Sequence, residues 1–146
     1  MSIKLKTAKF FLLASAIALS ACATGTKMAD VPAANSDVPA GNARVVVYRT
    51  GLLGAAVQPL VSVDGVERAR CQPQGAFVVD VAPGAHTVSA TTEVSKTAYL
   101  NVEAGQTAYI KCKIGFGLVI GQPSFEVMPE AAGKAESSSL PLIGQF

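Results

Sequence analysis

Three stretches, each pairing two β-like runs around a tight turn, constrain this chain more than any other feature. In "PLVSVDGVERARC", residues 59–71, an Asp64-Gly65 pair separates two alternating segments, the sequence form of a hairpin whose central residues both take positive φ. "GAFVVDVAPGAHTVSATTEV", residues 75–94, repeats the device around Pro83-Gly84, and "KTAYLNVEAGQTAYIKCKI", residues 96–114, repeats it around Ala104-Gly105. "ARVVVYR" at 43–49 opens the series and "SFEVM" closes it at Met128. The runs are short and rich in Val, Thr and aromatic residues, and no long stretch carries a 3.6-residue period. They predict an all-β fold, a single antiparallel β-sandwich of about seven or eight short strands over residues 43–128. Residues 129–146 follow as a short helix and a frayed tail. In "PEAAGKAE", Pro129 suits a first helical turn and Ala, Glu and Lys favour its continuation. The apolar end of "SSSLPLIGQF" either docks on the sheet or hangs free.

The other end of the chain reads as targeting. Lys4, Lys6 and Lys9 precede "FFLLASAIALSA", residues 10–21, a basic region followed by an apolar core of secretory-signal length. That run is too short for the roughly 20 apolar residues a spanning helix needs. The tetrapeptide Leu19-Ser20-Ala21-Cys22 then resembles the lipobox of bacterial lipoproteins: a branched aliphatic, two small residues and the cysteine that is lipidated. The resemblance implies a signal peptide over 1–21, cleavage before Cys22, a diacylglyceryl group on its thiol and a palmitate-like acyl chain on its new amino terminus. Several chains make a stable membrane anchor, since each buried methylene contributes about 0.8 kcal/mol. Ala23 rather than Asp after the cysteine is similar to the enterobacterial pattern for the outer membrane, with the domain facing the periplasm. The plainer alternative is an ordinary signal peptide with a chance cysteine near its cut. Residues 22–42 read as the lipidated cysteine and a flexible tether, because "ATGTKMADVPAANSDVPAGN" is small, polar and Pro-containing with no apolar period. A coil of that length spans about 25 Å.

Processing also reshapes charge and cysteine arithmetic. The whole chain carries 12 Lys+Arg against 10 Asp+Glu, but three of the lysines belong to the signal, so the mature part is close to neutral. A net-basic footprint for nucleic acid is absent. With Cys22 lipidated, Cys71 and Cys112 remain in an oxidising compartment, where a disulfide is the favoured reading and two buried thiols the alternative. Closing a loop of that length contributes about 4 kcal/mol in the chain-entropy treatment. Strand alternation puts Ile110, Cys112 and Ile114 on one face and Tyr109, Lys111 and Lys113 on the other; it likewise sets Ala69 and Cys71 against Arg68 and Arg70. Arg68, Arg70, Lys111 and Lys113 would form one basic patch for an anionic target if their strands were neighbours, and are otherwise a solvated face.

Residues suited to catalysis or metal binding are sparse and scattered. His86 in "PGAHTVS" is the one histidine of the chain, read as an exposed strand residue after a turn, and neither a catalytic triad nor a zinc site is suggested. Asp64 belongs to a turn, Asp80 and Glu103 precede turns, and Glu67, Glu93 and Glu126 fall singly in strands, so no two-carboxylate constellation is evident. No cofactor, metal or catalytic residue is assigned, and the chain is read as non-enzymatic. In "GFGLVIGQP", residues 115–123, the glycine spacing is not that of a dinucleotide site. The favoured reading sets Phe116, Leu118 and Ile120 inward on a kinked strand. The other places Phe116, Leu118, Val119 and Ile120 in an exposed loop that contacts a partner.

"ARVVVYRTGLLGAAVQPLVSVDGV", "VDVAPGAHTVSATTEVS", "LNVEAGQTAYIKCKIGFGLVIGQP" and "EVMPEAAGKAE", taken in order, resemble the small bacterial lipoproteins grouped as domain of unknown function 2846. The likeness covers most of residues 43–136, and its "VDG" and "PG-x-HT" turns also occur in PEGA-like β modules. Ala85 stands where an acidic residue is expected before His86. The resemblance implies a β fold and an anchor and carries no catalytic residue across. The function expected is a lipid-anchored envelope module that binds or scaffolds an envelope protein or cell-wall component. Alternatives are a carrier holding a small apolar ligand between its sheets and, behind it, a hydrolase.

Overall fold

A computed structural model describes residues 22–144. The signal-peptide reading of residues 1–21 lies outside the described residues. Eight strands form where the Val-rich alternation indicates: β1 (Ala43–Arg49), β2 (Leu60–Val63), β3 (Val66–Arg70), β4 (Gly75–Val81), β5 (Gly84–Thr91), β6 (Ser95–Val102), β7 (Thr107–Gly115) and β8 (Gln122–Met128). They make two four-stranded sheets, ordered β4-β1-β7-β8 and β3-β2-β5-β6, packed face to face as a sandwich. Between the sheets lie Val45, Val47, Val61, Val63, Val88 and Ile110, each at most 1 % exposed. All the pairings are antiparallel except β1 with β7, which run parallel in register Arg44↔Thr107 to Tyr48↔Lys111. The first sheet is therefore mixed.

Turn chemistry decides where the chain reverses, and packing decides into which sheet it goes. Asp64 and Gly65 adopt φ of 51° and 77°, the positive values the two-residue hairpin turn requires. β2 and β3 pair across it. The Pro83-Gly84 and Ala104-Gly105 turns instead carry the chain between sheets, from β4 to β5 and from β6 to β7. Facing sheets stand only about 10 Å apart, so a few residues bridge them as readily as they close a hairpin.

Cys71 and Cys112 form a disulfide with a Cα–Cα separation of 6.3 Å. Cys71 sits where the chain leaves β3 for β4, and Cys112 lies inside β7, so the bond ties the passage between sheets to the middle of the opposite one. Both cysteines belong to the inter-sheet core.

Every residue of β1 is buried, because the outer face of the first sheet is covered as well. The segment expected as a flexible tether is part of that cover. A 3-10 turn (Met28–Asp30) and the four-residue helix α1 (Pro32–Asn35) lie on it, with Met28 and Ala34 packed beside Val46, Tyr48, Val78 and Tyr109. Backbone bonds fasten the segment, from Ala23 to Pro73 (2.8 Å), from Met28 to Leu140 (2.7 Å) and from Ala29 to Ser138 (2.9 Å). Burying a side chain such as Met28 contributes about 2 kcal/mol, which helps offset the ordering of a chain otherwise too polar to fold. α2 (Glu130–Ser137) packs on β7, so close that a Cβ at Gly133 would collide with the Tyr109 ring. The tail docks too: Leu140 is buried, and the Ile143 N–H donates to the Ala76 carbonyl at 2.7 Å.

Candidate functional site

The loop between β7 and β8 departs furthest from a packed interior. Phe116, Leu118 and Val119 are 91 %, 96 % and 88 % exposed, with Ile120 also facing solvent. The favoured inward reading is corrected: β7 ends at Gly115, and the chain turns so tightly that a Cβ at Gly117 would strike the Ile120 carbonyl oxygen. The tip is nevertheless fixed. The Glu93 carboxylate, from the turn joining β5 to β6, accepts the backbone N–H groups of Leu118 (3.0 Å), Val119 (2.7 Å) and Ile120 (3.1 Å). The Ile120 N–H, foremost among these donors, holds the Glu93 pKa below its ordinary value. One carboxylate thus satisfies the loop's polar backbone while its apolar side chains point away.

Beneath the tip, Leu53 joins Phe116, Val119 and Ile120 around a shallow cleft of about 240 Å3. Leu53 belongs to the long connection from β1 to β2, which Arg49 organises. Arg49 is 1 % exposed and donates to the carbonyls of Gly51 (3.2 Å), Leu53 (2.7 Å), Val57 (2.9 Å) and Cys71 (2.8 Å). Burial lowers its pKa, yet four carbonyl dipoles surround the guanidinium in place of water. Neither Glu93 nor Arg49 stands out in the sequence as a loop organiser, since each acts through backbone groups that no residue pattern encodes.

The four candidate cations are not brought together. Arg68 and Arg70 lie on β3 at the edge of one sheet, and Lys111 and Lys113 lie on β7 inside the other. Arg70 donates to the Gln58 carbonyl at 2.9 Å, Lys111 pairs with Glu136 at 2.8 Å, and Lys113 pairs with Glu126. The face assignment of β7 itself holds, with Ile110, Cys112 and Ile114 in the inter-sheet core. On the opposite face α2 covers Tyr109 and Lys111 while Lys113 stays exposed, and Glu136 receives both Lys111 and the Tyr48 hydroxyl (2.9 Å) there.

His86 is not the exposed strand residue expected. Its Nδ1 lies 2.6 Å from Asp64 and its Nε2 lies 2.6 Å from the Ala82 carbonyl, with 11 % of the side chain exposed. Burial alone would lower its pKa, but hydrogen bonds to Asp64 and Ala82 outweigh it and leave the value raised. Asp64 is likewise pushed up by burial, then taken below its ordinary value by hydrogen bonds from His86 and the Thr87 N–H. Other carboxylates also have structural partners: Asp80 meets Arg44 at 2.6 Å, and Glu93, Glu126 and Glu136 are engaged as described. Among the described residues no group of three or more His, Cys, Asp or Glu is placed to hold a metal ion.

Cys22, the lipidation candidate, is half-buried at the start of the described chain. Among the described residues no helix is long and apolar enough to cross a membrane.

Two sheets with a filled interior, one inter-sheet disulfide and an ordered apolar tip define a small β-sandwich module. The family model described as protein of unknown function (DUF2846) matches residues 39–123, more than half of the chain, and the chain belongs to that family. No curated protein matches it.

Proposed function

We propose that this protein is a lipid-anchored lipoprotein of the bacterial outer membrane, facing the periplasm, that works by contact rather than by catalysis. The observation that carries the reading is the tip at 116–120, whose apolar side chains stand in solvent while Glu93 fixes their backbone. Exposing large apolar groups costs solubility, and holding them rigid lowers the entropy lost on contact. The lipobox-like Leu19-Ser20-Ala21-Cys22 supports the anchor, and the Cys71–Cys112 bond suits an oxidising compartment. The carrier alternative requires room between the sheets, and that space is occupied by side chains such as Val45, Val61 and Ile110.

Photo-crosslinking tests the contact directly. A photoreactive residue in place of Leu118, in intact cells, is expected to give a discrete adduct with an envelope component, whereas one in place of Glu103 gives background. Equal background at both positions would contradict a contact role for the tip.

A further inference from the structure

Strand directions show that the tip and the lipidation candidate share one end of the sandwich. β1 finishes there at Arg49, which pairs with Gly75 at the start of β4. Ala23 arrives at the same place: its N–H donates to the Pro73 carbonyl, and a Cβ on Gly75 would lie 2.8 Å from its own. Parallel register puts Tyr48 beside Lys111, so Arg49 stands level with Cys112 while β7 runs on to Gly115. Three further residues at strand rise carry the β7–β8 tip about 10 Å beyond the end of β1. Leu52, Leu53 and Val94, all substantially exposed, lie in the other connections at this end.

The slack that a flexible tether would have supplied is missing. Residues 23–35 are bonded along the first sheet, so Cys22 is one residue from the fold, and one residue spans at most about 3.6 Å. A Cys22 held in a bilayer by its acyl chains therefore brings this end of the sandwich down to the headgroups. Exposed Arg70, Lys96 and Glu93 stand at the end nearest the tip, and the exposed Asp37 and Glu103 and the Asp64–His86 pair lie toward the opposite one. Arg70 and Lys96 are thereby placed to meet lipid phosphates.

Resting on the lipoprotein reading above, we infer that this end of the sandwich is seated on the membrane holding Cys22, with Phe116, Leu118 and Val119 at the headgroup–acyl boundary. Apolar groups on interfacial elements enter that boundary by about 5–10 Å, the same distance by which the tip leads. Insertion gives the sandwich a fixed upright orientation. The opposite end, with the Asp64-Gly65 and Ala104-Gly105 turns, then faces away from the bilayer.

The chain contains no tryptophan, so single reporters can be introduced. Full-length protein, processed and purified from membranes, would carry Leu118→Trp, Val119→Trp or Glu103→Trp. Each would be reconstituted in phosphatidylethanolamine and phosphatidylglycerol vesicles with acyl chains brominated near their middle. Reporters at 118 and 119 are expected to lose most of their emission relative to unbrominated vesicles, and the one at 103 to lose none. Unquenched reporters at both 118 and 119 in a chain whose Cys22 is acylated would overturn the seating and leave the anchor standing. A protein adduct at position 118 in cells, with those reporters unquenched, would assign the tip to a protein partner instead. Equal quenching at 103 and 118 would overturn the fixed orientation. A chain whose Cys22 carries no lipid would remove the seating together with the reading on which it rests.

Discussion

At the scale of single residues, His86 shows how a polar side chain becomes structural. Both ring nitrogens face acceptors, and only the imidazolium has a donor for each of them. The pair with Asp64 joins the β2–β3 turn to β5, and the raised pKa of His86 and lowered pKa of Asp64 fix its pH dependence. A histidine whose folded pKa is raised stabilises fully below its unfolded value of about 6.5, and the contribution fades as pH climbs through the folded value. A depressed aspartate stabilises above its unfolded value of about 3.9, and loses its contribution as pH falls through the folded one. The Tm difference between the natural chain and His86→Ala is thus expected to be greatest from about pH 4 to 6.5 and to shrink above that. A difference that grows from neutral to alkaline pH would contradict the charged pairing.

At the scale of elements, the outer cover of the first sheet depends on a close approach between helix and strand. α2 reaches β7 only because Gly133 has no side chain to meet Tyr109. Gly133→Ala gains intrinsic helix propensity, worth about 1 kcal/mol in a free helix, but forces the helix off the ring. The net expected is a loss of about 1–3 kcal/mol of stability, typical of overpacking, read as a lower denaturant midpoint. An unchanged or raised midpoint would contradict the packing. Period-two alternation with turn residues made the strands and the Asp64-Gly65 hairpin legible in the sequence, and it sorted the two faces of β7 correctly. Sheet membership was not legible, because a Pro-Gly or Ala-Gly turn reverses the chain identically whether the next strand pairs alongside or crosses over. The basic patch fails for that reason. The docked N-terminal segment was hidden for another: Met28 and Ala34 are too few to make a pattern and acquire meaning only against the sheet they cover. At 115–123 an apolar run looked like a buried strand, since composition does not record that Glu93 satisfies the backbone of an exposed loop.

At the scale of the whole molecule, the fold distributes its parts by end. One end gathers Cys22, the long β1–β2 connection ordered by Arg49, and the apolar tip ordered by Glu93. The other holds the Asp64-Gly65 and Ala104-Gly105 turns, and the disulfide fastens the two sheets near the first end, level with Arg49. Because residues 23–35 are docked instead of free, an anchor at Cys22 would fix where the domain stands as well as which membrane it belongs to. The anchor depends on the chemistry of one sulfur atom, which the mass of the mature chain reports. Protein extracted from membranes in detergent and measured intact, with its N-terminal peptide sequenced, is predicted to begin at Cys22 bearing a thioether-linked diacylglyceryl group and an amide-linked acyl chain. A chain that retains Met1, or one with an unmodified Cys22 thiol, would contradict the anchor and every orientation argued from it.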